Sequence, residues 1–256
     1  MRLDVIGAGP AYTDRPGATG AAYLLRYAGA SLLLDLGQGS FPRLAGLVEP
    51  AELEAVVISH LHADHFIDLI PLRHYLRWEL PRRRVRVLGP ETLDVMLDAL
   101  HGEPGFSAAA LDVEGLVEGL RRIGPFELEV ARVTHSESSY GFRVSVAPPD
   151  GAPGETLGLV YSGDCGRAED LDALARPGDT LLCEVSFGPG PVKSGAQHLD
   201  GPAVGALARR VGAGRVLLTH LQMGFDRAAT VDSVRACFDG GPVELVDPGF
   251  ETMIRS

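Results

Sequence analysis

The first third of the chain is dominated by short apolar runs separated by Gly, Pro and Asp. Runs of this length, rich in Val, Ile, Leu and Tyr, predict β-strands. We place strands at residues 3–6, 22–27, 31–34 and 55–58, and a helix at 41–47. The Ala-Gly-Ala turn at residues 28–30 joins the second and third strands, which predicts a β-hairpin.

The middle of the chain shows apolar residues at helical spacing but few clear boundaries. Residues 66–78 predict a helix in which Pro71 must either begin a new turn or kink the old one. A strand at 84–88, a helix at 91–100 and a loop at 101–110 follow.

From residue 126 onward, strands return and then alternate with helices. The predicted strands are 127–133, 141–146, 157–161, 180–185 and 215–219, with a hairpin loop at 148–154 and helices at 168–175 and 201–211. Alternation of this kind is typical of an α/β protein. Since no repeat and no linker divides the sequence, we predict a single domain over residues 1–256.

Composition and charge narrow the class of partner. Hydrophobic residues make up 45% of the 256 and charged residues 22%, as expected for a globular protein. The net charge of −11 argues against extended nucleic acid as a partner, because a protein that grips a phosphate backbone presents a basic face. The dense basic run at residues 82–86 is predicted to be a solvated strand edge.

The cysteines and the N-terminal residues indicate the cellular compartment in which the protein is expected. The three cysteines, Cys165, Cys183 and Cys237, form no CxxC pair, and this odd count does not suggest a disulfide framework. The first residues enter a strand directly, without a long apolar segment, so neither a signal peptide nor a membrane span is predicted. We therefore expect a cytoplasmic protein.

The strongest chemical signal follows the strand at 55–58. Four potential metal ligands, His60, His62, Asp64 and His65, occur within six residues. On an extended segment, residues i and i+2 face the same way, so His60 and His62 can reach one metal ion together. A turn at Ala63 can then direct Asp64 and His65 toward a second ion.

This HxHxDH pattern resembles the signature of the metallo-β-lactamase superfamily. The resemblance implies an α/β (α+β) fold, a four-layer αββα sandwich, in which later strands end in further ligands. Three predicted strands do run into such residues, namely His135, Asp164 and His220. By the resemblance, His60, His62 and His135 hold one metal ion, Asp64, His65 and His220 hold the other, and Asp164 bridges them. Asp35 then takes the place of an aspartate that braces the metal loop.

The resemblance also implies two divalent metal ions. Nitrogen-rich donor sets with carboxylates suit zinc best, and manganese and iron also bind such sets.

Two further residues resemble one branch of the superfamily. Glu184 ends a predicted strand and His198 opens the helix before the last ligand strand. This pair resembles the phosphodiesterase branch, which includes ribonuclease Z and atypical bacterial cyclic-nucleotide phosphodiesterases. In that branch a hydroxide shared by the two metals attacks phosphorus while a charged side chain meets the departing oxygen. The resemblance thus implies a catalytic set of Asp64, Glu184 and His198.

The expected substrate is a cyclic nucleotide or another small phosphodiester. The chain lacks an obvious flexible arm of the kind that clamps transfer RNA in ribonuclease Z, and residues 188–193 form a candidate substrate loop or an inert connector. A transfer RNA 3′-processing endonuclease and a non-catalytic metal-binding protein of the same fold remain as alternatives. The resemblance also allows a homodimer, since relatives in this branch are often dimers.

Overall fold

Two β-sheets packed face to face form the centre of the molecule. The computed structural model describes residues 1–146, 158–193 and 195–254. Each sheet has seven strands, and helices cover the outer face of each, which gives the four layers αββα. Among these residues, no helix combines the length and the apolar character needed to span a membrane.

The first sheet combines strands of the first half with the last strand of the chain. In spatial order it contains β14 (Glu251–Met253), β1 (Arg2–Gly7), β2 (Ala22–Tyr27), β3 (Ala30–Leu34), β4 (Ala55–Val57), β5 (Val85–Gly89) and β6 (Leu111–Gly115). The strands from β3 to β6 run parallel.

The second sheet is built from the remaining half. Its order is β13 (Val243–Leu245), β12 (Arg215–Thr219), β11 (Thr180–Glu184), β10 (Leu159–Tyr161), β9 (Tyr140–Val146), β8 (Phe126–Arg132) and β7 (Gly119–Ile123). The strands from β10 to β13 run parallel. Their carboxyl ends therefore meet at one edge of the sheet.

Alternation along the strands explains the layering. In β3, Leu32 and Leu34 point into the core between the sheets, whereas Leu33 points outward to the helices. In the second sheet Leu182 faces the shared core and Leu181 faces the helical layer. Both faces of these parallel strands are buried, so they consist of nearly continuous apolar residues.

Within the described ranges, six α-helices cover the sheets. On the first sheet lie α1 (Phe41–Leu47), α2 (Ala63–Phe66), α3 (Leu69–Glu79) and α4 (Leu93–His101), and on the second lie α5 (Gly201–Val211) and α6 (Arg227–Arg235). The Asp200 side chain accepts a hydrogen bond from the Ala203 amide, 2.9 Å away, and so caps α5 at its N-terminus. Gly212, at φ 68°, ends that helix in the left-handed conformation.

Several predicted elements differ from the structure. The predicted helix 66–78 is two helices, α2 and α3, and Pro71 lies in the first turn of α3, where its missing N–H costs no helical hydrogen bond. The predicted helix 168–175 is only a short 3₁₀ turn, Ala168–Leu171. The predicted hairpin loop 148–154 lies outside the described residues.

Strands β6 and β7 were absent from the sequence prediction, and the basic run was misplaced. Both strands lie at sheet edges and are largely exposed, so their apolar alternation is weak. The basic run 82–86 is not a strand edge, because β5 lies between β4 and β6. Arg84 instead pairs with Asp112, and Arg86 pairs with Glu114.

Candidate metal centre

All seven predicted metal ligands meet where strands of the two sheets end. The HxHxDH segment follows β4, while the other three ligands follow β8, β10 and β12. Each ligand therefore lies just past a buried strand, which fixes its backbone. The seven side chains form two groups that share Asp164.

We call the first set the outer group. It consists of His60, His62, His135 and Asp164, whose potential ligand atoms all lie within 4.8 Å of one another. His60 and Asp164 are buried, whereas His62 is exposed. The Nδ1 atom of His135 lies 2.7 Å from the Gln197 carbonyl oxygen, which orients the ring.

We call the second set the inner group. It consists of Asp64, His65, Asp164 and His220, which are all buried and also lie within 4.8 Å of one another. The Nε2 atom of His220 lies 3.0 Å from an Asp64 carboxylate oxygen and 3.3 Å from the His65 Nε2 atom. Imidazole nitrogens and carboxylate oxygens therefore converge on one small volume without water-facing surface.

Unsatisfied polar atoms indicate that cations fit between these side chains. Among the described residues, His60 Nε2 and Asp164 Oδ1 are buried and have no hydrogen-bond partner. Leaving such atoms unpaired is costly, and buried polar groups are normally satisfied. A divalent ion in each group would satisfy them, and the nitrogen and carboxylate donors match the preferences of zinc.

The protonation states of His60 and Asp164 suit metal binding. Burial and the neighbouring His65 lower the pKa of His60 well below its ordinary value, so this imidazole is neutral and can act as a ligand. Burial alone would raise the pKa of Asp164, but His220 and His65 hold it well below its usual range. Asp164 is therefore ionised at neutral pH.

Asp35 lies behind the inner group and holds it in place. Its carboxylate accepts hydrogen bonds from the Ser59 amide (2.6 Å), the Ser59 hydroxyl (2.8 Å) and the Tyr161 hydroxyl (2.6 Å). The His65 Nδ1 atom lies 2.7 Å from the same carboxylate. The structure thus places Asp35 where the resemblance implies a brace, with His65 Nε2 turned toward the other ligands.

Backbone geometry at the site is unusual. Asp35 has φ 57° and His220 has φ 60°, a region that non-glycine residues seldom adopt. A Cβ atom on Gly37 would come within 1.8 Å of the Asp64 carbonyl oxygen, so only glycine allows the loop after β3 to approach α2 this closely. Strain of this kind persists where the surrounding structure determines the conformation, and it clusters at functional sites.

Glu184 and His198 form a pair beside both groups. The buried Glu184 carboxylate lies 2.9 Å from His198 Nδ1 and accepts hydrogen bonds from the Cys165 and Ser186 amides. Both of its oxygens are thus engaged within the protein. Glu184 thereby orients the His198 ring, and its place in the predicted catalytic set stays a prediction.

Ser186 is the residue that the sequence analysis missed. Its hydroxyl lies 2.6 Å from the Glu184 carboxylate, 3.0 Å from His220 Nδ1 and 3.2 Å from His198 Nδ1. One side chain therefore links an inner-group ligand to the Glu184–His198 pair. Its position two residues after Glu184, in the turn that follows β11, was the available signal.

Comparisons with known proteins bear on the family and the fold of the chain. The family model described as beta-lactamase superfamily domain matches residues 33–221. The Mycobacterium leprae protein ML1173 is 32% identical over 257 residues, which cover 97% of this chain and 87% of that protein. Ribonuclease Z of Mycobacterium marinum is 28% identical over 86% of each chain. The crystal structure of the metallo-beta-lactamase fold protein YhfI from Bacillus subtilis superposes with a TM-score of 0.83 at 23% identity, covering 98% of this chain and 99% of that one.

Proposed function

The chain belongs to the β-lactamase superfamily and has the metallo-β-lactamase fold, and from this premise we propose that it is a metal-dependent phosphodiesterase. Its substrate would be a cyclic nucleotide or another small phosphodiester. The observation that carries the proposal is the Glu184–His198 pair, which places a proton donor beside both ligand groups.

His198 is suited to protonate a leaving group. Burial by itself would lower the pKa of this imidazole, but the hydrogen bond with Glu184 and the negative charges of Glu184 and Asp164 together outweigh burial and raise the pKa above its ordinary value. Because Nδ1 is engaged by Glu184, Nε2 is the nitrogen that can release a proton. The His198 ring centre lies 4.6 Å from that of His135 and 5.9 Å from that of His220.

The roles of the chain's residues follow from this arrangement. Two divalent ions held by the inner and outer groups would supply positive charge to the phosphate and activate the attacking water, with zinc the metal that fits best. As the bond from phosphorus to the leaving oxygen breaks, His198 Nε2 gives its proton to that oxygen. Glu184 keeps the imidazole oriented and charged. The Ser186 hydroxyl contacts both Glu184 and His220 and fixes their positions relative to each other.

The direct test is hydrolysis by purified protein with added zinc or manganese. We expect turnover of cyclic AMP or bis(p-nitrophenyl) phosphate that stops when a chelator is added. His198→Ala should abolish most of this turnover while the metal content stays the same. Absence of metal-dependent turnover of any diester would contradict the proposal.

A transfer RNA 3′-processing nuclease is the second candidate, because ribonuclease Z of Mycobacterium marinum is a relative over most of the chain. The net charge of −11 favours a small substrate instead, since a long phosphate backbone would be repelled. Cleavage of precursor transfer RNA at a rate above that of small diesters would favour the nuclease.

A further inference from the structure

A cavity of about 510 Å³ opens beside Phe187, the residue whose ring contacts His198. The residues that line it and matter here are Phe187, Pro191, Val192, Lys193, Ala196 and Phe225. We call it the side cavity. Its volume lies within the roughly 300–1,000 Å³ range of small-molecule sites.

The side cavity adjoins the candidate metal centre through one shared wall. Phe187 follows Ser186 directly in the chain, and its ring meets the His198 ring edge-on with centres 5.7 Å apart. The Phe187 amide also donates a hydrogen bond to the Leu199 carbonyl, 3.1 Å away. Phe187 therefore contacts His198 and also lines the side cavity.

The opposite walls are held in place as well. The Val192 amide donates a hydrogen bond to Asp200, 3.0 Å away, and Asp200 also caps α5. A Cβ atom on Gly188, which has φ 55°, would lie 2.6 Å from the Phe225 ring, so Phe225 rests directly on this glycine. These contacts hold Val192 and Phe225 in place at the cavity.

The lining points to a planar aromatic group that carries negative charge nearby. Phe187 and Phe225 offer two rings on which a flat base can stack, a contact that tolerates any base because each has a π-face. Lys193 adds a positive charge in an acidic protein, and it is the single lysine among 23 basic residues. An ammonium group complements a phosphate.

We infer that the side cavity binds the base of a nucleotide whose phosphate lies at the metal centre. This inference rests on the proposed function and makes it more specific, because it selects nucleotides from among small phosphodiesters. It also assigns Phe187, Lys193 and Phe225 a role in substrate selection.

Binding of a hydrolysis-resistant product tests the inference without any turnover. The zinc-loaded protein is titrated by calorimetry with AMP, with ribose 5-phosphate, which lacks the base, and with hexyl phosphate, which carries a flexible apolar chain. We expect AMP to bind about tenfold more tightly than either of the others, as stacking of one base predicts. Equal affinity for AMP and ribose 5-phosphate would overturn the inference, and so would tighter binding of hexyl phosphate.

Substitutions test whether the base of AMP binds in the side cavity. Phe225→Ala should weaken AMP binding about tenfold and leave ribose 5-phosphate unchanged. Trp78→Ala, which removes an exposed aromatic ring on α3, should change neither affinity. If Phe225→Ala weakened both ligands equally, or neither, the side cavity would not be the base site.

The two proposals can fail separately. Base-dependent AMP binding without diester hydrolysis would uphold this inference and contradict the phosphodiesterase. Hydrolysis of bis(p-nitrophenyl) phosphate with equal affinity for AMP and ribose 5-phosphate would uphold the phosphodiesterase and remove only the base site.

Discussion

The inner and outer groups use the same ligand types but differ in burial and in charge. The inner group is entirely buried and contains two carboxylates, Asp64 and Asp164. The outer group contains one carboxylate and has His62 exposed to solvent. An ion in the inner group therefore meets more negative charge in a medium of lower dielectric constant, where attraction is stronger.

The supports behind the two groups differ in charge. In the inner group, the Asp35 carboxylate contacts His65 Nδ1 and the Ser186 hydroxyl contacts His220 Nδ1. In the outer group, two neutral groups take this place, since the Gln197 carbonyl oxygen contacts His135 Nδ1 and the Ser59 hydroxyl contacts His60 Nδ1. The comparison of the two groups indicates that the inner ion is held tightly and that the outer ion exchanges more readily. Asp164 belongs to both groups and so couples the binding of the two ions.

Loss of the shared ligand should have the largest effect. Asp164→Asn removes a negative charge from both groups, so we expect metal content to fall below one ion per chain and activity to fall by more than about 10³-fold, as loss of several kcal/mol of metal stabilisation implies. Elemental analysis and diester turnover measure these. Asp112→Asn, at an exposed ion pair with Arg84, is the matched control and should match wild type. If the Asp164→Asn variant retained two ions, Asp164 would not be a ligand shared by the two groups.

A substitution confined to the outer group should release the outer ion and leave the inner ion bound. His62→Ala takes away one outer ligand, so we expect one ion per chain to remain and activity to fall about 10²-fold. Chelator titration followed by elemental analysis measures the ion that stays. His74→Ala, a histidine on α3 that packs against Phe106, should retain both ions. Release of both ions from His62→Ala would break the distinction between the groups.

Weakening the support behind the inner group should have a smaller effect. Asp35→Asn keeps the shape of the side chain but removes the charge that orients His65, so we expect inner-ion affinity to fall about 10- to 100-fold. Competition with a chelator of known affinity measures this. Asp98→Asn is the matched control, because Asp98 also accepts several hydrogen bonds, from Gly105 and Ser107, away from the site. Loss of the outer ion alone in Asp35→Asn would reverse the comparison.

The smallest effect at neutral pH should come from the residue that acts through His198. The raised pKa keeps His198 protonated to higher pH, so acid catalysis is present below that pKa and is lost as pH rises through it. Glu184→Gln removes the supporting charge, so the alkaline limb of kcat should move to lower pH, with about a tenfold loss at pH 8.

Metal content and thermal melting serve as controls for Glu184→Gln, and Glu114→Gln, at a surface ion pair with Arg86, is the matched variant. A pH profile identical to wild type would show that Glu184 does not set the charge of His198.

The sequence predicted which side chains converge at the site better than it predicted the residues that support them. His60, His135, Asp164 and His220 each follow a buried apolar strand, and such strands are recognisable because their apolar runs are long and bounded by polar residues. The resemblance of the HxHxDH segment to the metallo-β-lactamase superfamily implied the fold, which the family match and the superposition with YhfI confirm.

The supports depend on contacts between distant segments, which local patterns do not encode. Tyr161 is an ordinary strand residue in the sequence, yet its hydroxyl crosses the core to reach Asp35. Ser186 gains its importance only because β11 and β12 are neighbours and bring Glu184 and His220 together. Edge strands such as β6 were missed for a related reason, since partial exposure removes the alternation that marks a strand.

Anomalous diffraction from crystals of the zinc-loaded protein tests the central claim most directly. The account predicts two peaks, one within the inner group and one within the outer group, about 3.5–4 Å apart with Asp164 between them. No peak at this position, or a single peak that does not contact Asp164, would contradict it.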